Sequence, residues 1–224
     1  MAGAGDLDGT WRSWLVVLGA VVAAGLRLRV EGAERIPASG AALLAGNHVS
    51  SLDGIVLAVT TARLRRRRTR FLVAAEFFAN PVYAPLLRSS GQIPIRRGAS
   101  DLGALDEAKA ALRSGTLAGI YPEGGVNPDP DAGLRPGRSG AARIALTTGV
   151  PVVPVGIWGT QVRWPYAGWS FARPFRPRVG LAFGPPIEAE GSPERPADVQ
   201  GFTDRVMAGI AVELERAKAL AGRR

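Results

Sequence analysis

The sequence contains no cysteine and only one histidine, His48. Without cysteine the chain can form no disulfide, and it offers neither a thiolate nucleophile nor a thiolate metal ligand. A single imidazole also excludes metal sites that are built on two or three histidines. We therefore expect no resident metal and no cofactor, and any acid–base chemistry by histidine must pass through His48.

Acidic residues are fewer than basic ones, since 19 Asp and Glu stand against 28 Lys and Arg, and the net charge is +9 over 224 residues. This length suits one domain. The charge favours anionic partners, which are nucleic acid, an anionic membrane surface or phosphorylated small molecules. Lysine is nearly absent, because Lys109 and Lys218 are the only two. The charge is thus carried by arginine, whose planar guanidinium binds phosphate and carboxylate through paired hydrogen bonds.

The N-terminal segment lacks an apolar run of the length of a membrane span. Its uncharged stretch, 13–26, is shorter than the about 20 residues required, and residues 1–10 are predicted to be a disordered lead-in. We predict an interfacial helix with Trp11 and Trp14 at headgroup depth; a buried packing helix is the alternative. Flanking arginines would lie near lipid phosphates in the first case: Arg12, Arg27 and Arg29. The predicted division places the lead-in and this helix in 1–27 and the main domain in 28–224.

After this segment, strand-like and helix-like stretches alternate, which predicts a single α/β domain with a mixed sheet flanked by helices. The predicted strands are 28–31, 41–45, 71–74, 92–95, 116–121, 152–157 and 178–183. The predicted helices are 53–61, 100–113, 138–148 and 199–221. Ser100 is the expected N-cap of the second helix. The proline within 152–157 predicts a bulge or an edge position for that strand.

A run of basic residues occupies positions 63–70. It is interpreted either as a solvated loop or as a patch that faces an anionic surface, where each basic residue contributes roughly 1 kcal/mol to membrane attraction. Nucleic-acid binding is the weaker interpretation, because no nucleic-acid fold motif accompanies the run.

The stretch from Asn47 to Asp53 places the single histidine in a polar loop between a buried strand and the start of a helix. A helix N-terminus favours a carboxylate such as Asp53. The intervening chain can bring that carboxylate to one imidazole nitrogen of His48, so that the other nitrogen becomes a proton acceptor. A loop histidine beside a helix-capping aspartate is the alternative reading of the same spacing.

Four short blocks occur in one order along the chain: 47–53 with Asn-His-x4-Asp, Gly-Gln-Ile-Pro-Ile-Arg-Arg at 91–97, Tyr-Pro-Glu-Gly at 121–124, and Val-Pro-Val-Val-Pro-Val at 150–155. Together they resemble the glycerophosphate acyltransferase family, in particular its bacterial 1-acylglycerol-3-phosphate acyltransferases. The resemblance extends over about 29–160. It implies that residues 28–224 form an acyltransferase domain.

The resemblance implies roles for the residues of these blocks. His48 would be the general base toward the acceptor hydroxyl and Asp53 its orienting partner. Arg97 would hold the acceptor phosphate by charge-assisted hydrogen bonds. The remaining predicted substrate-binding residues are Asn47, Arg96, Glu123, Gly124 and Arg138. A surface charge at Arg97 and a plain turn at 122–124 are the alternatives.

The third block departs from the family pattern, which usually continues Glu-Gly-Thr-Arg-Ser. Here the residues that follow Glu123 are Gly124, Gly125 and Val126. The arginine expected at position 126 is missing, so either Arg135 or Arg138 replaces it or the acceptor differs.

The predicted activity is transfer of a fatty acyl group from an acyl thioester, supplied by coenzyme A or acyl carrier protein, to the hydroxyl of lysophosphatidic acid. The product would be phosphatidic acid for phospholipid biosynthesis. The expected partners are the thioester donor, a glycerophosphate-type lipid acceptor and an anionic membrane surface, without nucleic acid. The expected location is peripheral or monotopic, on the cytoplasmic face of the cell membrane. The rival hypotheses are the same chemistry on another lyso-lipid or alcohol, and a non-catalytic basic peripheral membrane protein.

Overall fold

A seven-stranded sheet forms the centre of the described part of the protein, which in the computed structural model comprises residues 7–96, 101–170 and 174–223. The strands are β1 Arg27–Glu31, β2 Ala42–Gly46, β3 Thr69–Ala74, β4 Ile93–Ile95, β5 Leu117–Ile120, β6 Val152–Trp158 and β7 Arg178–Phe183. Their order is β1-β7-β6-β2-β5-β3-β4, and every neighbouring pair is parallel except β6 with β7. The predicted α/β class with a mixed sheet is therefore confirmed.

Helices cover both faces of this sheet. They are α1 Gly9–Gly25, α2 Asp53–Arg65, α3 Glu76–Ala79, α4 Ala84–Ser89, α5 Leu102–Arg113, α6 Gly140–Thr148 and α7 Pro196–Gly222. Side chains of β2 alternate between the two faces, so that Leu44 packs with α1 and α2 while Leu43 packs with α5, α6 and α7. Two apolar cores result, one on each face.

Helix ends follow the local capping rules, with one correction. The carboxylate of Asp8 accepts a hydrogen bond from the Trp11 N–H and begins α1. At the start of α5 the corresponding acceptor is Asp101, not the predicted Ser100, which lies outside the described residues. Gly149 ends α6 in the left-handed region at φ 68°, as the glycine after a helix is expected to do.

Strand β6 is interior, so the predicted edge position is wrong. It lies between β2 and β7. The predicted bulge in β6 is not found either, because the extra residue lies in the segment opposite, between the Pro154–Gly184 hydrogen bond and the Val152–Ile187 bridge. The missing N–H of Pro154 faces this interruption, where the antiparallel ladder with β7 has ended. An interior proline is tolerated there because no ladder hydrogen bond is lost.

Helix α1 packs on the protein through one side and is apolar on the other. Trp11 is only 4% exposed and donates its indole N–H to the carbonyl oxygen of Ser90. The predicted headgroup position of Trp11 is therefore wrong. The outer side exposes Val16, Val17 and Val21. Contact of this helix with a membrane stays a prediction, as does the division into 1–27 and 28–224.

The predicted lead-in 1–10 is too long, since α1 begins at Gly9; residues 1–6 lie outside the described part. None of the described helices combines the length and the hydropathy that crossing a membrane requires.

The basic run 63–70 is not a uniform surface patch. Helix α2 extends through Arg65, four residues beyond the prediction. Arg67 is 3% exposed, and its guanidinium donates to the carbonyl oxygens of Pro37, Gly40 and Gly115. Buried charge requires such hydrogen bonds, so part of this run serves the interior.

Candidate active site

The candidate site lies where the carboxyl ends of three neighbouring strands meet. His48 follows β2, Tyr121 follows β5 and Thr160 follows β6. Because β5, β2 and β6 are parallel and adjacent, the segments that leave these strands converge on one edge of the sheet. Such edges are the usual ligand sites of open α/β sheets.

His48 and Asp53 form the pair that the spacing predicted. The Nδ1 atom of His48 lies 3.0 Å from Oδ2 of Asp53. A carboxylate at this distance holds the proton on Nδ1 and leaves Nε2 with a lone pair. His48 lines the cleft described below, and within the described residues its Nε2 has no hydrogen-bond partner. The imidazole can therefore accept a proton from a bound hydroxyl.

Asp53 is 0% exposed and accepts four hydrogen bonds. Besides His48, the N–H groups of Val49 and Ser50 donate to its Oδ2, at 2.8 and 2.9 Å. The hydroxyl of Thr160 donates to Oδ1 at 2.6 Å. A carboxylate held in this way cannot rotate, which fixes the orientation of the imidazole.

Sequence reasoning missed Thr160, which is separated from Asp53 by 107 positions. Its only signal was its place directly after a buried strand. That signal alone does not identify which hydroxyl reaches the carboxylate.

Tyr121 supports the imidazole from one side. Its ring stacks on the ring of His48, with centroids 4.0 Å apart and an interplanar angle of 8°. Burial first, and the negative charge of Asp53 second, raise the pKa of Tyr121 well above its ordinary value. The hydroxyl is buried and has no hydrogen-bond partner in the described part of the chain. Tyr121 therefore contributes through its ring, and this contact was not predicted.

Glu123 lies beneath the histidine loop and not in the cleft where it was expected. It is 2% exposed; Oε1 accepts from the His48 N–H at 2.8 Å and Oε2 from the Arg135 N–H at 3.0 Å. Burial raises the pKa of Glu123, while those two hydrogen bonds oppose the shift. The carboxylate ties the loop after β2 to the loop after β5, so Glu123 positions His48.

Asn47 also has a positioning role in place of the predicted substrate contact. Its side-chain amide donates to the carbonyl oxygen of Ile157 and accepts from the N–H of the same residue, at 2.9 and 2.8 Å. The side chain is buried between β2 and β6. These two bonds replace backbone pairing where the strands diverge.

Gly124 and Arg138 meet at the rim. Gly124 has φ +75°, and a Cβ at this position would lie 2.6 Å from Nε of Arg138. Only glycine fits this backbone conformation and this close approach without strain. Arg138 is exposed and lines the cleft. The two residues are thus in contact with each other, and their predicted binding of substrate stays a prediction.

Arg96 reaches the same cleft, whereas the predicted phosphate ligand Arg97 lies outside the described residues. The N–H of Arg96 donates to the carboxylate of Asp101 at 2.9 Å, and its Nε does so at 3.3 Å. The backbone hydrogen bond is the main reason that the pKa of Asp101 is lowered. Arg143, which was not predicted, also lines the cleft.

The cleft has a volume of about 770 Å³ and two chemically distinct parts. The deep part is apolar and lies between α1, α2 and α4, with the lining residues Trp14, Leu18, Ile55, Phe71, Phe77 and Leu86. The mouth contains the exposed guanidinium groups of Arg96, Arg138 and Arg143. His48 lies on the same cleft. The arrangement suits an amphiphile whose anionic end stays at the mouth.

Comparison with known proteins agrees with this geometry. A family model described as Acyltransferase matches residues 27–158. An uncharacterized protein of Mycobacterium tuberculosis is 33% identical over 148 residues, which cover 62% of this chain and 39% of that protein. The 1-acyl-sn-glycerol-3-phosphate acyltransferase of Borreliella burgdorferi is 30% identical over 142 residues, which cover 62% of this chain and 54% of that enzyme. The chain thus spans only 39% and 54% of the lengths of these two relatives.

A solved structure is similar over nearly the whole chain. The crystal structure of the 1-acyl-sn-glycerophosphate acyltransferase PlsC from Thermotoga maritima gives a TM-score of 0.69 at 23% identity, covering 98% of this chain and 86% of that one. At this identity the similarity shows a shared fold.

Proposed function

The chain belongs to the Acyltransferase family, and from that premise we propose that it transfers a fatty acyl group from an acyl thioester to the hydroxyl of lysophosphatidic acid. The product is phosphatidic acid. The observation that carries the proposal is His48 held by the buried Asp53 at the junction of an apolar cleft and an arginine-bearing mouth. The named activity of the Borreliella relative supports the same acceptor.

The acid–base step uses the free nitrogen of His48. Nε2 accepts the proton of the acceptor hydroxyl while the hydroxyl oxygen attacks the thioester carbonyl. The C–O bond forms, the C–S bond breaks, and the proton passes from Nε2 to the departing sulfur. Asp53 stabilises the imidazolium that exists between these steps. No covalent acyl-enzyme is required, because the acceptor itself supplies the hydroxyl.

The mouth supplies the phosphate contacts. Arg138 and Arg143 have no carboxylate partner within the described residues, and both side chains are exposed beside the cleft. Guanidinium groups bind phosphate oxygens in a bidentate, charge-assisted manner. The phosphate of a lysophospholipid at this mouth leaves its hydroxyl near His48. Arg97 stays a proposed ligand from the sequence alone.

The deep part of the cleft supplies the acyl site. Its aromatic and aliphatic lining, with Trp14, Phe71 and Phe77 among its members, fits a fatty chain and excludes water from the thioester. A donor carried by coenzyme A or acyl carrier protein would keep its polar part outside.

A second candidate acceptor is favoured by one observation. Val126 stands where the family usually has an arginine, and it lines the cleft. An aliphatic side chain there lowers the positive charge at the mouth and suits another lyso-lipid, such as a lyso-ornithine lipid or a glycolipid acceptor. Arg138, packed against Gly124, supplies a guanidinium nearby and favours retention of a phosphate.

The protein is proposed to act at the membrane surface, peripheral on the cytoplasmic face. The exposed valines of α1, which are Val16, Val17 and Val21, support this placement, because an apolar helix face of this kind partitions to the bilayer boundary.

The test is acyl transfer from labelled acyl-CoA to lysophosphatidic acid in liposomes, for the wild type and His48→Ala. We expect a decrease of about 10²- to 10⁴-fold in the variant. Activity with another lyso-lipid but not with lysophosphatidic acid would transfer the proposal to that acceptor. Activity only with acyl carrier protein would identify the donor. Equal product formation by both proteins would leave His48 without a catalytic role and favour a non-catalytic membrane protein.

A further inference from the structure

A second cavity, of about 600 Å³, lies at the open edge of the sheet. It is enclosed by the end of α1, by β1, by the second half of α2 and by residues 176–178, and we call it the β1 cavity. It shares no lining residue with the catalytic cleft. Helix α1 lines the cleft with Trp11, Trp14 and Leu18 and lines the β1 cavity with its last turn. The two cavities are therefore separate sites.

The lining of the β1 cavity is strongly basic. It contains five arginines and no acidic residue: Arg27, Arg29, Arg63, Arg176 and Arg178. Two of them are held by neutral groups of α1. Arg176 donates to the carbonyl oxygen of Ala23 at 2.7 Å, and the guanidinium of Arg63 packs over Gly19, where a Cβ would lie 2.2 Å from its Nη2. These contacts orient the two guanidinium groups without neutralising their charge, so the cavity attracts anions.

The floor of the same cavity is apolar. Leu26 and Val59 are buried in it, and Leu64 is exposed at its rim. The apolar surface continues on α1 through Val21 to the outer face of that helix. Arginines beside a continuous apolar surface suit a molecule with an anionic head and a hydrocarbon tail.

The geometry of the edge strand adds to this. Among the described strands β1 pairs only with β7, and no described strand pairs with the backbone groups on its other side. Arg27 and Arg178 are register partners on these two parallel strands. Register partners stand beside each other on neighbouring strands, and both residues line the β1 cavity.

We propose that the β1 cavity binds the phosphate headgroup of an anionic phospholipid of the bilayer. The arginines hold the phosphate, and the lipid chain follows Leu64 and the outer face of α1 into the membrane. This lipid is neither the acyl acceptor nor the product, so the inference goes beyond the proposed reaction and does not depend on which acceptor is used. It gives the protein a headgroup contact that keeps α1 against an anionic membrane while the catalytic cleft stays free.

The experiment is flotation of the full chain with phosphatidylcholine vesicles and with vesicles that also contain phosphatidylglycerol. We compare the wild type with Arg27→Gln/Arg178→Gln and with a matched control, Arg113→Gln/Arg195→Gln. The control removes the same charge from exposed arginines outside both cavities. Each arginine near the membrane is expected to contribute roughly five-fold to binding, so Arg27→Gln/Arg178→Gln, the cavity pair, should bind anionic vesicles about 25-fold more weakly than the wild type. The control should bind as the wild type does, and Arg63→Gln, a second cavity variant, should lose about five-fold.

Equal losses in both double variants would overturn the proposal, because a diffuse charge effect would then explain the attraction. Wild-type binding by the cavity pair would also overturn it. Isothermal titration with inorganic phosphate distinguishes a lipid headgroup from a free ion. If the wild type binds phosphate but floats no differently from Arg27→Gln/Arg178→Gln, the cavity is a site for a soluble anion instead. If the cavity pair self-associates while its vesicle binding is unchanged, the arginines protect the open edge of β1 and the lipid assignment is wrong. His48→Ala should float like the wild type, which keeps this result distinct from the test of catalysis.

Discussion

The two polar regions of the catalytic cleft are built in opposite ways. In the acid–base region both carboxylates are buried and have several partners: Asp53 accepts four hydrogen bonds, and Glu123 holds the backbone of His48 and Arg135. The mouth consists of arginines whose side chains are exposed. The acid–base region cannot rearrange without leaving buried groups unpaired, whereas the mouth can.

This difference separates chemistry from acceptor choice. A fixed carboxylate and imidazole preorganise proton transfer, which depends on geometry within a fraction of an ångström. An exposed guanidinium can adjust to different anionic groups at small cost. The departure from the family pattern falls at Val126, which lines the cleft near the mouth, while the acid–base region retains its histidine and aspartate. Five predictions follow from this division, from the largest expected effect to the smallest.

Asp53→Asn is expected to lower kcat by about 10²- to 10⁴-fold with little change in KM. An amide in place of the carboxylate cannot accept from all four donors and no longer favours the imidazolium. The measurement is steady-state acyl transfer, with thermal melting as a check on folding. Thr160→Val removes one of the four donors and should lose only roughly ten-fold. A kcat of Asp53→Asn within ten-fold of the wild type would mean that the acid–base region is not the seat of the chemistry.

Arg138→Gln is expected to raise the KM for a phosphate-bearing acceptor by about ten-fold or more and to leave kcat near the wild-type value. The lost contact is made equally in the bound substrate and in the transition state, so it affects binding. The measurement is acceptor saturation at fixed donor, with Arg113→Gln as a control outside the cleft. A fall in kcat without a change in KM would move Arg138 into the chemical step.

Gly124→Ala tests the same contact from the other side. The new Cβ would displace the guanidinium of Arg138, and φ at this position is +75°. The KM should therefore rise as in Arg138→Gln. Gly125→Ala is the matched control, because a Cβ there would meet only Arg135 Nη1 at 4.0 Å.

Glu123→Gln is expected to change the pH dependence of stability. Burial raises the pKa of Glu123 above its ordinary 4.5 in the folded state, so the folded protein binds this proton more tightly than the unfolded chain. The contribution of Glu123 is complete below pH 4.5 and decreases as the pH rises through the raised value. The difference in Tm between wild type and Glu123→Gln should accordingly shrink from acidic toward neutral pH in thermal melts. A difference that grows over that range would reverse the assigned direction.

Tyr121→Phe should have the smallest effect on activity. The Tyr121 hydroxyl is buried without a partner in the described part of the protein. Its removal is expected to stabilise the protein by about 1 kcal/mol while the stacked ring is kept. Chemical denaturation measures the gain. A loss of stability or a large loss of kcat would reveal a partner for this hydroxyl. A matched Tyr121→Leu variant measures the separate effect of losing the stacked ring.

Local patterns were predicted well because their causes are local. Buried apolar runs predicted the seven strands along the chain, although the short helices α3 and α4 were missed, and the five-residue spacing predicted the contact of His48 with Asp53. Errors arose where a distant segment decides. Thr160 reaches Asp53 across the sheet, and Asn47 is used to join β2 to β6. The prediction that β6 lies at an edge was wrong, because the composition of one strand does not determine the order of the strands in the sheet.

The basic run and the N-terminal helix show the same limit. A count of arginines predicts attraction to anions, but Arg67 turns inward because three carbonyl oxygens converge on it. Trp11 carries the composition of a membrane-interface residue and is nevertheless buried against α4. Composition describes what a side chain favours, and packing decides which of its possible environments it meets.

By itself, the sequence determined the α/β class, the positions of the seven strands along the chain, the absence of thiol chemistry and the His48–Asp53 pair, because each depends on composition or on residues close together in the chain. The tertiary structure decided which distant groups complete that pair, which arginines face the cleft and which line the β1 cavity. It did so because strand order and helix packing bring together segments that are about a hundred positions apart, and no local pattern specifies such contacts.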